Sequence, residues 1–132
     1  MEMNRNVLAE CGIPQKQIDQ RIESAFAAIF TDPEEKFYCE KDGDAGYLLD
    51  TGNNDARTEG MSYGMMMAVQ MNRKELFDRL WRFSKRYMYN EEGPYAGYFA
   101  WSVNPEGNHN SDGPAPDGEE YYAMALFFAA AR

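Results

Sequence analysis

The chain is nearly devoid of cysteine and histidine, the residue types from which zinc sites and disulfide frameworks are built. Only Cys11 and Cys39 occur, without a C-x-x-C spacing, and the single His109 stands far from both; no metal centre or disulfide scaffold is expected. Basic charge is scarce too, with 13 Lys and Arg against 22 Asp and Glu and a formal net charge of -9. Without a basic patch to neutralise phosphates, nucleic acid and anionic membrane surfaces are poor partners, whereas an uncharged oligosaccharide is compatible. Long apolar runs are also missing. The most apolar stretch, Tyr121 to Ala131, falls short of a bilayer span and runs into Arg132. The stretch from Met1 to Pro14 carries Glu2, Arg5 and Glu10 and no uninterrupted apolar segment, which argues against a secretory signal and for a soluble, cytoplasmic protein. Neither a Gly-rich phosphate loop beside a strand nor a G-x-S-x-G nucleophile motif is present.

What is there suits one domain: 132 residues, 44% hydrophobic and 14% aromatic, are enough for a single core. Pro14 followed by Ile18, Ile22, Ala25, Phe26 and Ile29 describes an amphipathic helix that Asp32-Pro33 stops. Residues 34–55 are rich in Gly and Asp and read as a long loop with room for a short strand. Thr58 is placed to cap a second helix reaching about Gln70. Asn72 is placed to cap a third, with Glu75 completing a capping box and Leu76, Leu80, Phe83 and Tyr87 as its stripe, widened by Phe77 and Trp81. The short connection between these two predicts antiparallel packing. A second long loop spans 90–116, and Asp117, with Glu120 three residues on, is placed to cap a fourth helix.

Three segments carry the chemistry: the run from Asp55 to Met67, centred on Arg57-Thr58-Glu59-Gly60; then Gly97-Tyr98-Phe99-Ala100-Trp101; then Asp112-Gly113-Pro114-Ala115-Pro116-Asp117-Gly118-Glu119-Glu120-Tyr121. In this order and spacing they resemble family 8 glycoside hydrolases, and within that family the exo-oligoxylanases that release xylose from reducing ends. The resemblance implies an all-α fold, the opening part of an (α/α)6 barrel, with about four helices and two long loops. It implies hydrolysis of β-1,4 bonds in xylo-oligosaccharides with inversion, Glu59 being the general acid and Asp117 and Trp101 binding the sugar. No metal or organic cofactor is implied, because carboxylates supply the proton transfers.

The resemblance runs from about Pro14 to Arg132, whereas family barrels are several times longer and carry their catalytic base in a later part. Residues 1–132 are therefore expected to form a single partial domain, inactive by itself. The rival expectation is a non-catalytic remnant that binds sugar or assembles helices. Either way, Ile22, Phe26, Phe127 and Phe128 are expected at an open barrel edge, where copies of the chain would pair as a homo-oligomer.

Each candidate also has a plainer reading. Glu59 in a first helical turn suits the helix dipole without any catalysis, and Asp117 suits an N-cap. Trp101 reads equally as a sugar platform or as a plug in the core, while Trp81, inside a helical stripe, reads as core. Tyr63, Tyr121 and Tyr122 read as cleft-lining or as packing residues. Asp42-x-Asp44-x-Gly46 fails as an EF-hand, since the glycine is displaced and no glutamate stands at the twelfth place; it reads as a solvated loop or as a sugar contact. Asn108, His109 and Asn110 read as a polar loop.

Overall fold

The computed structural model describes residues 5–132. They form two compact units, one up to Lys36 and one spanning Phe37–Arg132. The first consists of a short turn of helix, α1 (Val7–Glu10), and α2 (Gln15–Phe30), which Pro14 opens. Helix α2 buries Ile18, Phe26 and Phe30, whereas Ile22 and Ala25 from the expected stripe are exposed.

The second unit opens with a hairpin, β1 (Tyr38–Lys41) and β2 (Ala45–Leu48), paired antiparallel with Lys41 opposite Ala45. Asp42 and Gly43 make the turn with φ of 52° and 78°, the left-handed region that Gly and Asp tolerate best. Strand β3 (Ala56–Arg57) runs directly into α3 (Thr58–Gln70), and α4 (Lys74–Phe83) follows after a tight connection. β4 (Ser102–Val103) pairs with β3 on one side and β5 (His109–Ser111) on the other, and α5 (Pro116–Ala130) closes the unit. The second unit is thus not purely helical. Among the described residues of both units, five α-helices and two small sheets replace the expected four helices and two loops, because short segments of the expected loops satisfy their backbone groups by strand pairing.

Helix α3 lies against α4 and α5, and β2 packs on α4. The core between them is built from Met61, Met65, Ala68 and Val69 of α3, Phe77, Leu80 and Phe83 of α4, Tyr47 and Leu48 of β2, and Tyr122 and Ala125 of α5. Removing one such side chain, as in Leu80→Ala, costs about 2–5 kcal/mol, a large share of the roughly 5–15 kcal/mol that holds a domain together.

Helix α4 continues as a π-helical turn, Ser84–Met88. Tyr89 N–H bonds the Ser84 carbonyl five residues back, at 3.1 Å. Ser84 Oγ donates to the Leu80 carbonyl at 3.1 Å and lies 2.7 Å from the Tyr122 hydroxyl, so the widened turn is tied to α5 through a buried hydroxyl pair.

Candidate active site

The site forms where α3 and α5 begin. Thr58 is wholly buried, and a Cβ on Gly118 would stand 2.4 Å from Thr58 Oγ1 and 3.1 Å from its backbone carbonyl carbon. Only glycine permits this approach, so the first turns of the two helices lie side by side. Glu59 follows Thr58 and Asp117 precedes Gly118, so each carboxylate is borne by a chain neighbour of the contact. Four residues along each helix, on the same face, stands a tyrosine. The rings of Tyr63 and Tyr121 meet edge to face with centroids 4.7 Å apart, and both are about two-fifths exposed, 41% and 40%.

Glu59 Oε2 accepts from the Thr58 hydroxyl at 3.2 Å, and the Ser62 hydroxyl donates to the Glu59 carbonyl at 3.1 Å. No Lys or Arg among the described residues forms an ion pair with Glu59 or Asp117. The Tyr63 hydroxyl is held above its ordinary range, by desolvation first and then by the charges of Asp117, Tyr121 and Glu59. All four groups therefore share one electrostatic neighbourhood.

The expected caps are corrected at three places. Ala115 is the N-cap of α5 and Pro116 its first residue; the proline's fixed φ and missing N–H suit that position, which draws Asp117 inside the helix and leaves its carboxylate uncommitted to capping. Arg57 is the N-cap of α3, and Thr58 is turned inward beneath Gly118. Asn72 adopts a left-handed φ of 56° in the tight connection, so α4 starts after Arg73 without a side-chain cap.

Trp101 is half-buried and fixed at both backbone groups: its N–H donates to the Gly113 carbonyl at 2.9 Å, and its carbonyl accepts from Thr58 N–H at 3.0 Å. The third segment of the sequence is thereby tied to the first through the second. Trp81 instead joins a core cluster with Phe99 and Tyr122, at centroid distances of 5.7 and 5.8 Å. Tyr122 is buried, which corrects its reading as a cleft-lining residue; Tyr98 is exposed.

Several residues at the site carry weight that the sequence did not show. Asp55 is 4% exposed, binds Arg57 Nε through Oδ1 at 3.0 Å, and accepts from the Ser102 hydroxyl at 2.6 Å. Its one local signal is the Asp-x-Arg alternation, which puts both side chains on one face of a strand; Ser102 lies too far along the chain to be anticipated. Glu119 accepts from Phe99 N–H at 2.7 Å, and burial pushes its carboxyl above the ordinary range.

The acidic loop is exposed and forms the turn of the β1–β2 hairpin. Asp44 is gripped by both terminal nitrogens of Arg86 at 2.9 Å, and Asp42 bonds the Tyr87 hydroxyl, so these carboxylates, although exposed as a solvated loop would be, also dock the hairpin on the π-helical turn. His109 bridges Asp112 at 2.7 Å and the Tyr87 carbonyl at 2.9 Å. Among the described residues no group of three or more His, Cys, Asp or Glu is placed to hold a metal ion, and no helix is long and apolar enough to cross a membrane.

Comparison with known proteins agrees with the three-segment motif. The model of glycosyl hydrolases family 8 matches residues 25–132. A reducing end xylose-releasing exo-oligoxylanase of Halalkalibacterium halodurans is 58% identical over 97% of this chain and 33% of its own length. Its counterpart in Bifidobacterium adolescentis is 53% identical over 98% and 34%. An endoglucanase of Ruminiclostridium josui is 35% identical over 58% of this chain. Among solved structures, an exo-oligoxylanase mutant complexed with xylobiose superposes with a TM-score of 0.93 at 56% identity, covering 97% of this chain and 34% of that one. The fold of these neighbours is an (α/α)6 barrel. The chain spans about a third of the length of the exo-oligoxylanases it matches. On the match of most of its length to the family model and on the architecture it shares with these structures, the chain belongs to glycosyl hydrolases family 8.

Proposed function

We propose that residues 1–132 form the opening part of an (α/α)6 barrel and supply the proton-donating half of a site that hydrolyses β-1,4 bonds of xylo-oligosaccharides with inversion. The observation that supports this reading is the contact of Thr58 with Gly118: Glu59 and Asp117 are the chain neighbours of that contact, and the Trp101 carbonyl is bonded to Thr58 N–H. In this reading Glu59 protonates the oxygen of the scissile bond. Asp117 hydrogen-bonds the sugar at the cleavage point, Trp101 stacks on its C–H face, and the exposed edges of Tyr63 and Tyr121 meet its hydroxyls.

Inversion also needs a carboxylate to activate water, about 6.5–9.5 Å from the acid. No residue of the chain matches that base, so it belongs to the part of the barrel that the longer relatives contain. The direct experiment joins this chain to the remaining two thirds of a family 8 exo-oligoxylanase and follows release of xylose from xylotriose. Hydrolysis by the chimera that Glu59→Gln abolishes supports the assignment, and near-normal turnover by that variant refutes it. The 132-residue chain alone is expected to release no xylose.

A second reading, a sugar-binding or helix-assembly module, is favoured by one observation: Met124, Phe127 and Phe128 of α5 are exposed, Phe127 at 76%. Ile22 is exposed as well, but Phe26 is buried and is removed from the set. The exposed face of α5 suits pairing of two copies of the chain, and light scattering at micromolar concentration decides between a dimer and a monomer. A cytoplasmic place of action, on oligosaccharides already short enough to be imported, completes the proposal; cell fractionation tests it.

A further inference from the structure

The indole of Trp101 is held in a particular way. Its backbone is tied at both ends, yet among the described residues no other aromatic ring packs against it. The group that faces it is the guanidinium of Arg57, with Cζ 5.2 Å from the ring centroid, within the range of a cation–π contact. Arg57 cannot drift far. Its Nε lies 3.0 Å from Asp55 Oδ1 and 3.1 Å from Asp50 Oδ2. Asp55 is itself fixed by the Ser102 hydroxyl at 2.6 Å, and Ser102 Oγ accepts from Asn110 Nδ2 at 3.0 Å. Arg57 also stands opposite Ser102, the neighbour of Trp101, in the β3–β4 pairing. A buried carboxylate, a strand register and a guanidinium thus converge on one face of one indole.

Resting on the reading of Trp101 as the sugar platform, we infer that Arg57, anchored by Asp55 and Asp50, is a positioning residue that closes one face of the indole and presents the other to the sugar. The reason is energetic. A half-buried tryptophan without ring neighbours would otherwise exchange rotamers, and binding would then have to freeze it; a ring already oriented loses less freedom when the sugar stacks. Arg57 suits this task better than lysine would, because its planar fork bonds a carboxylate and stacks on a ring at once. The same residue is the N-cap of α3 and lies two positions before Glu59. The platform and the candidate acid are therefore referenced to one point of the backbone.

The test uses the 132-residue chain labelled with 5-fluorotryptophan, whose two tryptophans give separate fluorine resonances assigned with Trp101→Phe. In the sugar-free protein, Arg57→Met is expected to displace and broaden the Trp101 resonance while leaving that of Trp81 in place. Asp55→Asn, which loosens the anchor without removing the guanidinium, should do the same to a smaller extent, and Arg57→Lys should not rescue. Titration with xylotriose should show binding weakened about 3- to 10-fold in Arg57→Met, the scale of freezing one side chain. An unmoved Trp101 resonance with unchanged xylotriose affinity in both Arg57→Met and Asp55→Asn overturns the inference. Displacement of both resonances together also overturns it, since that signals general loosening. If xylotriose leaves the wild-type Trp101 resonance untouched, the platform reading fails, while the sugar-free spectra still judge the clamp.

Discussion

Two regions of the second unit use carboxylates in opposite ways. At the hairpin tip, Asp42 and Asp44 are matched by Tyr87 and Arg86, and Arg82 adds a 3.0 Å bond to the Asp44 carbonyl. At the α3/α5 rim, Glu59 and Asp117 lie beside exposed tyrosines with no cation paired to them among the described residues. The helix N-termini tolerate these charges, and the rim leaves their oxygens available to a ligand. Paired carboxylates fasten the structure, and those without a cation partner beside exposed rings are the residues to test for chemistry. Negative charge by itself, spread along the whole chain, distinguishes neither.

That contrast can be broken at several points. The largest effect is expected at the rim: in the chimera with a longer relative, Glu59→Gln should lower xylotriose hydrolysis by about 10²- to 10⁴-fold with an unchanged melting temperature, read by steady-state kinetics and calorimetry. A matching loss of stability would make Glu59 a fastening residue like Asp44. Next, Gly118→Ala forces a methyl group into Thr58 and should destabilise by about 1–3 kcal/mol, seen in urea unfolding; a neutral result would mean that the helix starts separate freely. Tyr122→Phe removes one partner of the buried pair with Ser84 and should cost about 0.5–1.5 kcal/mol without altering xylotriose binding.

Smaller effects depend on pH. Burial raises the Glu119 carboxyl, so its contribution to stability is full below the ordinary value of 4.5 and is lost as pH rises through the raised folded value. Glu119→Gln should flatten that decline, because the amide oxygen still accepts the Phe99 N–H. Asp44 runs the other way: Arg86, its main perturbant, holds it below the ordinary value of 3.8, so its contribution is present above that value and fades as pH falls through the lowered folded one. Asp44→Asn should remove that acid-side loss and leave sugar binding alone. This is the smallest effect, since the pair is exposed and salt screens it.

Much of the helical framework was legible. The stripes of α3 and α4 and their tight connection predicted an antiparallel pair, and Pro14 marked the start of α2. Within 34–55 only a short strand was anticipated, which β2 bears out; its pairing into a hairpin was not legible, because strands of four residues, one of them buried throughout, are too short to show an alternating pattern. The caps were misread for a related reason: side chains that cap well in isolation, Thr58 and Asp117, were claimed by a buried helix contact and displaced by Pro116. Asp55 was invisible as a structural centre because its partner Ser102 lies 47 residues away.

The sequence by itself determined the family, through three ordered segments whose residue types suit sugar hydrolysis, and it determined where most of the helices run, through periodic burial. Only the tertiary structure decided which acidic residues are fastened and which stand open. It alone brought Gly118 onto Thr58, Arg57 over Trp101 and Asp44 into the grip of Arg86. Local propensity depends on neighbours a few residues away, whereas a carboxylate's role depends on which cation or amide the folded chain carries to it across tens of residues.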